Sequence, residues 1–572
     1  VNGVNSANPV SELSRSRKIL LWSILLLIAT VLPLVLLEVG LRVAGVRVSD
    51  DPYLQFGRVD SFFTRREIEG RDYYEVASRD VYREREVRFP VVKDRNTFRV
   101  FCLGSSASAG WPHPASEIYS VYLQEALQRA HPDRQIEVIN VSAHAYPAYR
   151  SRMIFKEVIN FEPDLLVIYA GNNEFIERRT YQTRASWLDP LVAVANRSHL
   201  YRVLRGSPYA KRFFPENTLQ AEEREHVRYE QWSKLEQLAL ELRKDPQQFA
   251  RVKEHYRYSI ESMVTGAAEK GVPVILVTIP VNLQDWRPNV SYQALEGAAL
   301  ERWQPHYRRG RAALLRGEWD DSITELERAI ALNPEHAESY FHLGHALQGK
   351  GEHAAALERF TQARDLDYNP FRAISDFNAT LRDIAAQHAN AELADAALAF
   401  EAASVPQAPG FELLLDYVHP TKRGNLLVAK TVFDALDSHR LLGAPGSAEF
   451  SHEPRPYFPD GSAYEDERDV RMQAALVHLF VMMHQDEGIV AKGRYLMETA
   501  ETLPQEAVAE IQEAMEVYPK LIDLEHREYL GGEVAAGERE RLEERLQAFY
   551  RRFFPGYDEY KRYTERTSSA SL

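Results

Sequence analysis

Hydrophobic and polar positions change their period several times along this chain. The first pattern has no period at all: Ile19 to Leu37 runs nineteen residues without a charge, close to the length a helix needs to cross a bilayer. Arg15, Arg17 and Lys18 precede it. The bias of basic residues toward the cytoplasmic side then predicts a cytoplasmic stretch over 1–18, a transmembrane anchor over 19–41, and export of the rest of the chain. Pro33 inside the run is compatible with a membrane helix. A cleaved signal peptide is the competing reading, but its apolar core is shorter and leads to a small-residue cleavage site. Here the run ends in Glu38, Gly40 and Arg42 with no Ala-x-Ala. A buried helix of a soluble core would show amphipathic periodicity, and none is present.

After a polar, aromatic-bearing stretch over 42–96, read as a linker and an N-terminal cap, the pattern switches to short apolar runs alternating with helical ones. Strands are expected at Arg99 to Leu103, Ile136 to Asn140, Leu165 to Tyr169 and Pro273 to Thr278, with helices at Glu117 to Ala130 and Ser151 to Phe161. Strands apolar throughout are those of a parallel sheet covered on both faces, so the fold class is α/β with a doubly wound sheet. Glu222 to Lys270 is rich in Glu, Lys, Arg, Leu and Ala and reads as helices.

From His306 to Asp367 the pattern repeats. Gly310 recurs as Gly344, Tyr307 as Phe341, Ala329 as Ala363 and Leu332 as Leu366, each thirty-four residues on. Gly317-Glu318 recurs as Gly351-Glu352, and Asn333-Pro334 closes the first unit. This period, with small residues where two helices cross, resembles the tetratricopeptide repeat. Two units are fewer than such arrays need to stand alone, so they are expected to lean on helices of the host domain. A docking surface for a partner protein and a structural insertion shaping a rim of the site are both open, because the repeat specifies a shape and not a ligand. The tail from Asp469 to Glu565 is helical in pattern, with Leu476, Phe480, Val490 and Leu496 among its apolar positions, and carries no readable motif. Thr564 to Leu572 reads as a frayed end.

Composition narrows the partners. The chain has 572 residues, long enough for two or three domains. It carries 69 basic and 83 acidic residues, a formal charge of −14, with no basic run to suggest nucleic acid. Its single cysteine, Cys102, excludes an intramolecular disulfide and reads as a small buried residue. No His/Cys/Asp cluster has metal-ligand spacing and no glycine-rich phosphate loop is present, so no cofactor is expected.

Four separated pieces carry chemistry: Gly104 to Gly110, Asn140 to Tyr146, Gly171-Asn172-Asn173-Glu174, and Asp416-Tyr417-Val418-His419-Pro420. Ser106 falls at the C-terminal end of the first strand, where ligands approach an open parallel sheet and a following helix adds positive potential. A serine hydroxyl needs a base. His419 is the candidate base, and Asp416 is spaced to orient it from the same turn. Ester hydrolysis also needs donors aimed at the developing oxyanion. The backbone N–H of Ser106, a backbone N–H near Ala145 and the amide of Asn173 are the candidates. Weaker candidates for substrate contact are His144, beside that loop, Asn282, after the fourth strand, and Arg372, after the repeats. Each has a bland alternative: capping a turn for the first two, an ordinary salt bridge for the third.

These pieces resemble the blocks of the SGNH (GDSL-like) hydrolases. The family's Gly-Asp-Ser-x-x-x-Gly matches Gly104 to Gly110 with Ser105 in the Asp position. Its second-block glycine falls on Ala145. Its Gly-x-Asn-Asp appears as Gly171-Asn172-Asn173-Glu174, and its Asp-x-x-His is Asp416 to His419. The resemblance covers roughly Asn96 to Thr180 and Gly271 to Leu436. It implies a flavodoxin-like three-layer fold with the hydrolase domain over 97–300 and 371–440, inserted repeats over 301–370, and a helical region over 441–572. It implies Ser106 as nucleophile, His419 as base, Asp416 as its partner, and Ala145 and Asn173 with Ser106 as oxyanion donors. It further implies an exported, membrane-anchored esterase that cleaves acyl esters, acetyl esters of cell-envelope polysaccharides in particular. An acyltransferase using the same residues, and a non-catalytic scaffold assembling partners on its repeats, are the alternatives. The predicted location is the inner membrane, single pass, with the domain facing the periplasm or cell exterior.

Overall fold

A computed structural model describes residues 15–46, 61–76, 87–113, 115–175, 198–205, 245–368, 370–438 and 512–553, with Asp51, Tyr53 and Ala195 as isolated positions. The expected helices before Asp245, the four apolar tail positions from Leu476 to Leu496, and the end from Tyr557 onward lie outside the described residues. The chain divides into two compact units, Val1–Ser61 with Arg179–Glu223, and Phe62–Arg178 with Arg224–Leu572.

The first unit holds α1 (Arg15–Val43), with no buried residue along its 29. Leucine and isoleucine side chains that would be hidden in a soluble core, such as Ile19 at 62 % and Leu26 at 68 %, are exposed around it. Its length and hydropathy suit a membrane span or a signal sequence. Near its end Glu38 accepts from the hydroxyl of Ser198 and from the N–H groups of His199 and Leu200, at the first turn of the short α5 (His199–Arg205).

The second unit opens with a finding that the polar pattern of 42–96 does not suggest. Phe63–Ile68 (β1), Arg71–Val76 (β2) and Arg88–Pro90 (β3) form an antiparallel sheet. Its aromatic residues, which the pattern assigns to a linker, form a cluster: the Phe161 ring lies 5.1 Å from Phe63, 4.3 Å from Tyr74 and 5.4 Å from Phe89. Phe89 packs edge-on to Phe101 of the main sheet.

The main sheet contains β4 (Thr97–Gly104), β5 (Gln135–Asn140), β6 (Leu165–Tyr169), β7 (Val274–Val277) and β8 (Ala391–Ala394) in the order β5-β4-β6-β7-β8, every pair parallel. This is the flavodoxin-like order, and the expected α/β, doubly wound class is what the chain adopts. β4 and β6 are buried at every residue, as a sheet covered on both faces requires. The crossover through α3 (Tyr119–Ala130) runs from β4 to β5 on one side. The crossover through α4 (Ala148–Val158) runs back across β4 to β6, and right-handed crossovers in opposite directions place their helices on opposite faces. α3 packs with α13 (Lys422–Ser438), while α4 packs with α6 (Pro246–Ala268), which packs with α11 (Ser375–Gln387). β8 was not expected: Ala-Glu-Leu-Ala has no strand-like composition, and its place at the sheet edge comes from pairing with β7.

The repeats sit inside the β7–β8 crossover as α7 (Gly297–Leu315), α8 (Trp319–Leu332), α9 (Ala337–Lys350) and α10 (His353–Asp365). The equivalent glycines do equivalent work. A Cβ on Gly310 would lie 2.7 Å from Leu326, and one on Gly344 would lie 2.7 Å from Phe360. Ala329 and Ala363 are both buried. The two units do lean on neighbours. Tyr529, on α14 (Gln512–Tyr529), lies under the Arg311 guanidinium of α7, and α14 pairs with α15 (Glu538–Phe553).

Candidate active site

Strand order reverses beside β4, and the C-terminal ends of β4 and β6 flank that crevice, where ligands of open α/β sheets bind. Gly104 closes β4. A Cβ there would stand 2.0 Å from the Tyr169 carbonyl oxygen, so only glycine lets the two strand ends approach this closely. Ser105 follows, buried and extended, as the N-cap of the four-residue α2 (Ser106–Ala109). Ser106 is thus the first helical residue, half-buried, and its N–H belongs to the turn that has no intrahelical acceptor. Gly110 ends the turn at φ +81°.

The turn carrying Asp416 and His419 comes from much later in the chain, between α12 (Ala396–Ser404) and α13. One oxygen of Asp416 accepts the N–H groups of Val418 and His419, both at 2.9 Å, and the other lies 2.7 Å from His419 Nδ1. His419 Nε2 lies 2.8 Å from Ser106 Oγ. Three side chains that are 313 and 3 residues apart in sequence form one hydrogen-bonded line. Burial by itself would raise the Asp416 carboxyl, but the adjoining His419 and the two backbone donors outweigh it and hold the group below the usual carboxylate range. An ionised Asp416 requires Nδ1 to carry the proton, which leaves Nε2 as acceptor for the Ser106 hydroxyl.

The two segments are sewn together behind that line. His113 Nε2 contacts the Pro420 carbonyl at 2.9 Å, Asn425 accepts the Tyr119 N–H, and Lys422 pairs with Glu117, both buried, at 3.3 Å. The sequence pattern does not reveal these residues, because nothing in their spacing ties positions so far apart. It also misses Trp111, whose ring packs edge-on at 4.6 Å from His419 and at 6.4 Å from His144. Its one signal is its place directly after Gly110.

Ala145 and Asn173 belong to the other two candidate segments. Ala145 is exposed, at φ +57°, a left-handed conformation that favours glycine. Asn173 is buried and its amide donates to the Tyr146 carbonyl over 3.4 Å, a long bond that leaves its second N–H uncommitted to that partner. Glu174, longer than the aspartate of the resembling block, accepts the Ala148 N–H at 2.7 Å, so its carboxylate caps the first turn of α4. Asn140 donates to the Ser108 carbonyl and the Ser120 hydroxyl and accepts the Ser142 N–H, which locks the start of the Ala145 loop to the turn carrying Ser106.

The weaker candidates separate. His144 is half-buried beside Trp111, within the same group of rings. Asn282 and Arg372 are buried and spent on loops. Asn282 donates to the Asp416 carbonyl at 3.1 Å, and Arg372 donates to the carbonyls of Asn282 and Trp286 at 2.6 and 2.8 Å. Arg372 also faces Asp367 at 3.7 Å, and burial lowers its pKa to about 10. Their surroundings are those of loop braces. The repeat, too, is partly occupied by this chain: Arg287 pairs with Glu338 at 3.1 Å, Ser291 accepts the Glu338 N–H, and Asn333 donates to Gln293.

Known proteins share parts of this architecture. Residues 310–351 match the model of the TPR repeat family. Three solved structures are similar in part. The acetylxylan esterase Axe2 from Geobacillus stearothermophilus is 14% identical with a TM-score of 0.28, over 62% of this chain and 97% of that one. The α/β hydrolase LAE5, from the metagenome of Lake Arreo in Spain, is 12% identical with a TM-score of 0.27, over 60% of this chain and 96% of its own. The acetyl xylan esterase AlAXEase is 13% identical with a TM-score of 0.27, over 59% and 100%. No curated protein matches the chain.

Proposed function

We propose that the protein is a membrane-anchored, outward-facing serine esterase of SGNH type, with Ser106 as nucleophile, His419 as general base and Asp416 as its orienting partner. The observation that carries this reading is the unbroken line from Ser106 Oγ through the two nitrogens of His419 to Asp416, at 2.8 and 2.7 Å. A buried Asp–His pair abutting a half-exposed serine at a strand end has the donors and acceptors that acyl transfer needs.

In this reading His419 Nε2 takes the Ser106 hydroxyl proton as Oγ bonds to the ester carbonyl carbon. The oxyanion that forms is held by the N–H groups of Ser106 and Ala145 and by the Asn173 amide. The C–O bond to the leaving alcohol then breaks, and His419 returns the proton to that oxygen. Water, deprotonated by His419, then bonds to the acyl carbon, the bond from that carbon to Ser106 Oγ breaks, and His419 returns the proton to Oγ as the acid leaves. The proposed substrates are acyl esters, acetyl esters of cell-envelope glycans first among them. The repeat is assigned to the rim of the site, because segment 287–293 of this chain already lies against it.

A fluorophosphonate probe on the full chain in detergent tests the reading. Covalent labelling is expected, and Ser106→Ala should remove it entirely. A wild-type protein that never reacts, with probe, activated acetyl ester or acetylated glycan, would leave the scaffold reading in its place. Acetyl ester consumed only in the presence of a glycan acceptor, with no free acetate, would replace hydrolysis by transfer.

A further inference from the structure

Among the residues that hold the Asp416–His419 turn from outside is one that the proposed chemistry does not use. Asn282 donates twice to consecutive carbonyls of that turn: its backbone N–H to Tyr417 at 3.0 Å, and its side-chain amide to Asp416 at 3.1 Å. Among the described residues the Asp416 carboxylate bonds to its own neighbours in the turn, Val418 and His419. Its internal geometry is therefore self-contained, while its placement toward Ser106 depends on external anchors. Asn282 is wholly buried, and its remaining oxygen accepts the Asp285 N–H at 2.9 Å. At 0% exposure it presents no surface to solvent.

Asn282 is in turn gripped from the repeat side. Arg372 donates to its carbonyl and to that of Trp286. Asp367, directly after α10, accepts the N–H groups of Asn289 and Val290 at 2.8 and 3.0 Å and faces Arg372. Arg287 reaches the carboxylate of Glu338 on α9. The Trp286 ring lies 5.1 Å from that of Tyr417, inside the acid–base turn. Segment 282–290 is thus pinned at one end to the catalytic turn and at the other to the inserted repeat. Packed, hydrogen-bonded elements of this kind transmit displacement, and small shifts at reacting groups are costly to rate.

We infer that Asn282 is a positioning residue for the Asp416–His419 turn, and that the inserted repeat holds it in register through Arg287 and Asp367. The inference rests on the esterase reading for its kinetic consequence, but not for its geometry.

The test uses the full chain in detergent micelles with two variants, Asn282→Ala and Arg287→Ala. Three quantities are followed: kcat and KM on an activated acetyl ester, the downfield proton resonance of the His419 Nδ1–H bonded to Asp416, and the cooperativity of thermal unfolding. Asn282→Ala should lower kcat by about 10- to 100-fold with KM changed by no more than about 2-fold, and should shift or broaden the resonance. Arg287→Ala, at the repeat side of the segment, should move kcat and resonance in the same direction by a smaller factor. Wild-type kcat and an unmoved resonance in Asn282→Ala, with only the unfolding temperature lowered, would reduce Asn282 to a structural brace. If Asn282→Ala does not unfold cooperatively, Arg287→Ala decides: an unchanged kcat and resonance there removes the link to the repeat. A wild type without turnover overturns the esterase reading alone, since the resonance still reports whether Asn282 places the turn.

Discussion

Ala145 shows how one side chain can set the character of a site. Its φ of +57° costs an L-residue about 1–2 kcal/mol relative to glycine. Glycine there recovers that amount less the extra chain entropy of the unfolded state, about 0.4–1 kcal/mol. Ala145→Gly should therefore raise stability by up to about 1.6 kcal/mol, read as an increased denaturant midpoint with unchanged slope. At Asp416 the sign of the pH dependence follows from its lowered pKa. A depressed folded-state value contributes stability above the unfolded pKa, about 3.9, and that contribution is lost as pH falls through the folded one. Asp416→Asn should thus be less stable than wild type near neutral pH, with the gap in unfolding temperature narrowing as pH drops below about 4. The same variant should cut turnover by about 1000-fold or more, because the carboxamide favours the wrong imidazole tautomer. Ser106, Asp416 and His419 are legible in the sequence as types and spacings. Their convergence is not, because 313 residues separate Ser106 from His419.

At the scale of elements, the sequence pattern locates the strands that are apolar on both faces and the helices with small residues at their crossings. The two repeat glycines illustrate why. Gly344 is buried, and a methyl group there would meet Phe360 at 2.7 Å, too close for any real contact. Gly344→Ala should destabilise by about 1–3 kcal/mol through overpacking, against about 1 kcal/mol returned by helix propensity. Thermal unfolding of the variant checks the balance, and a gain in stability would mean that α9 and α10 can move apart freely. The pattern misses elements whose identity comes from a neighbour. β8 is a strand because β7 offers an open edge, and β1 to β3 are a sheet because Phe89 and Phe161 give their aromatic residues something to cover. Glu174 is a related case. By sequence it is a lengthened loop acid, and in the fold it is the cap of α4.

For the whole molecule, α1 makes the largest prediction. Its 29 residues span about 43 Å, enough for a bilayer core and both interfaces. No side chain along it is buried. The full chain should stay with membranes through an alkaline wash, and a chain lacking Arg15 to Val43 should not. Release into the wash of a chain shortened at its N-terminus would point to a signal sequence that is removed instead of an anchor.

What the sequence determined by itself was whatever depends on local composition: an apolar run of membrane length, buried parallel strands, a thirty-four-residue repeat, and a serine, an acid and an imidazole in chemically meaningful settings. What only the tertiary structure decided were the relations between distant segments. The order β5-β4-β6-β7-β8 puts Ser106 at a crevice, and the turn carrying His419 reaches it from beyond the inserted repeat. Asn282 and Arg372, weak candidates for substrate contact by sequence, are buried braces in the fold. The physical reason is that hydrogen bonds and burial depend on distance in space, which spacing along the chain constrains only within a turn or two.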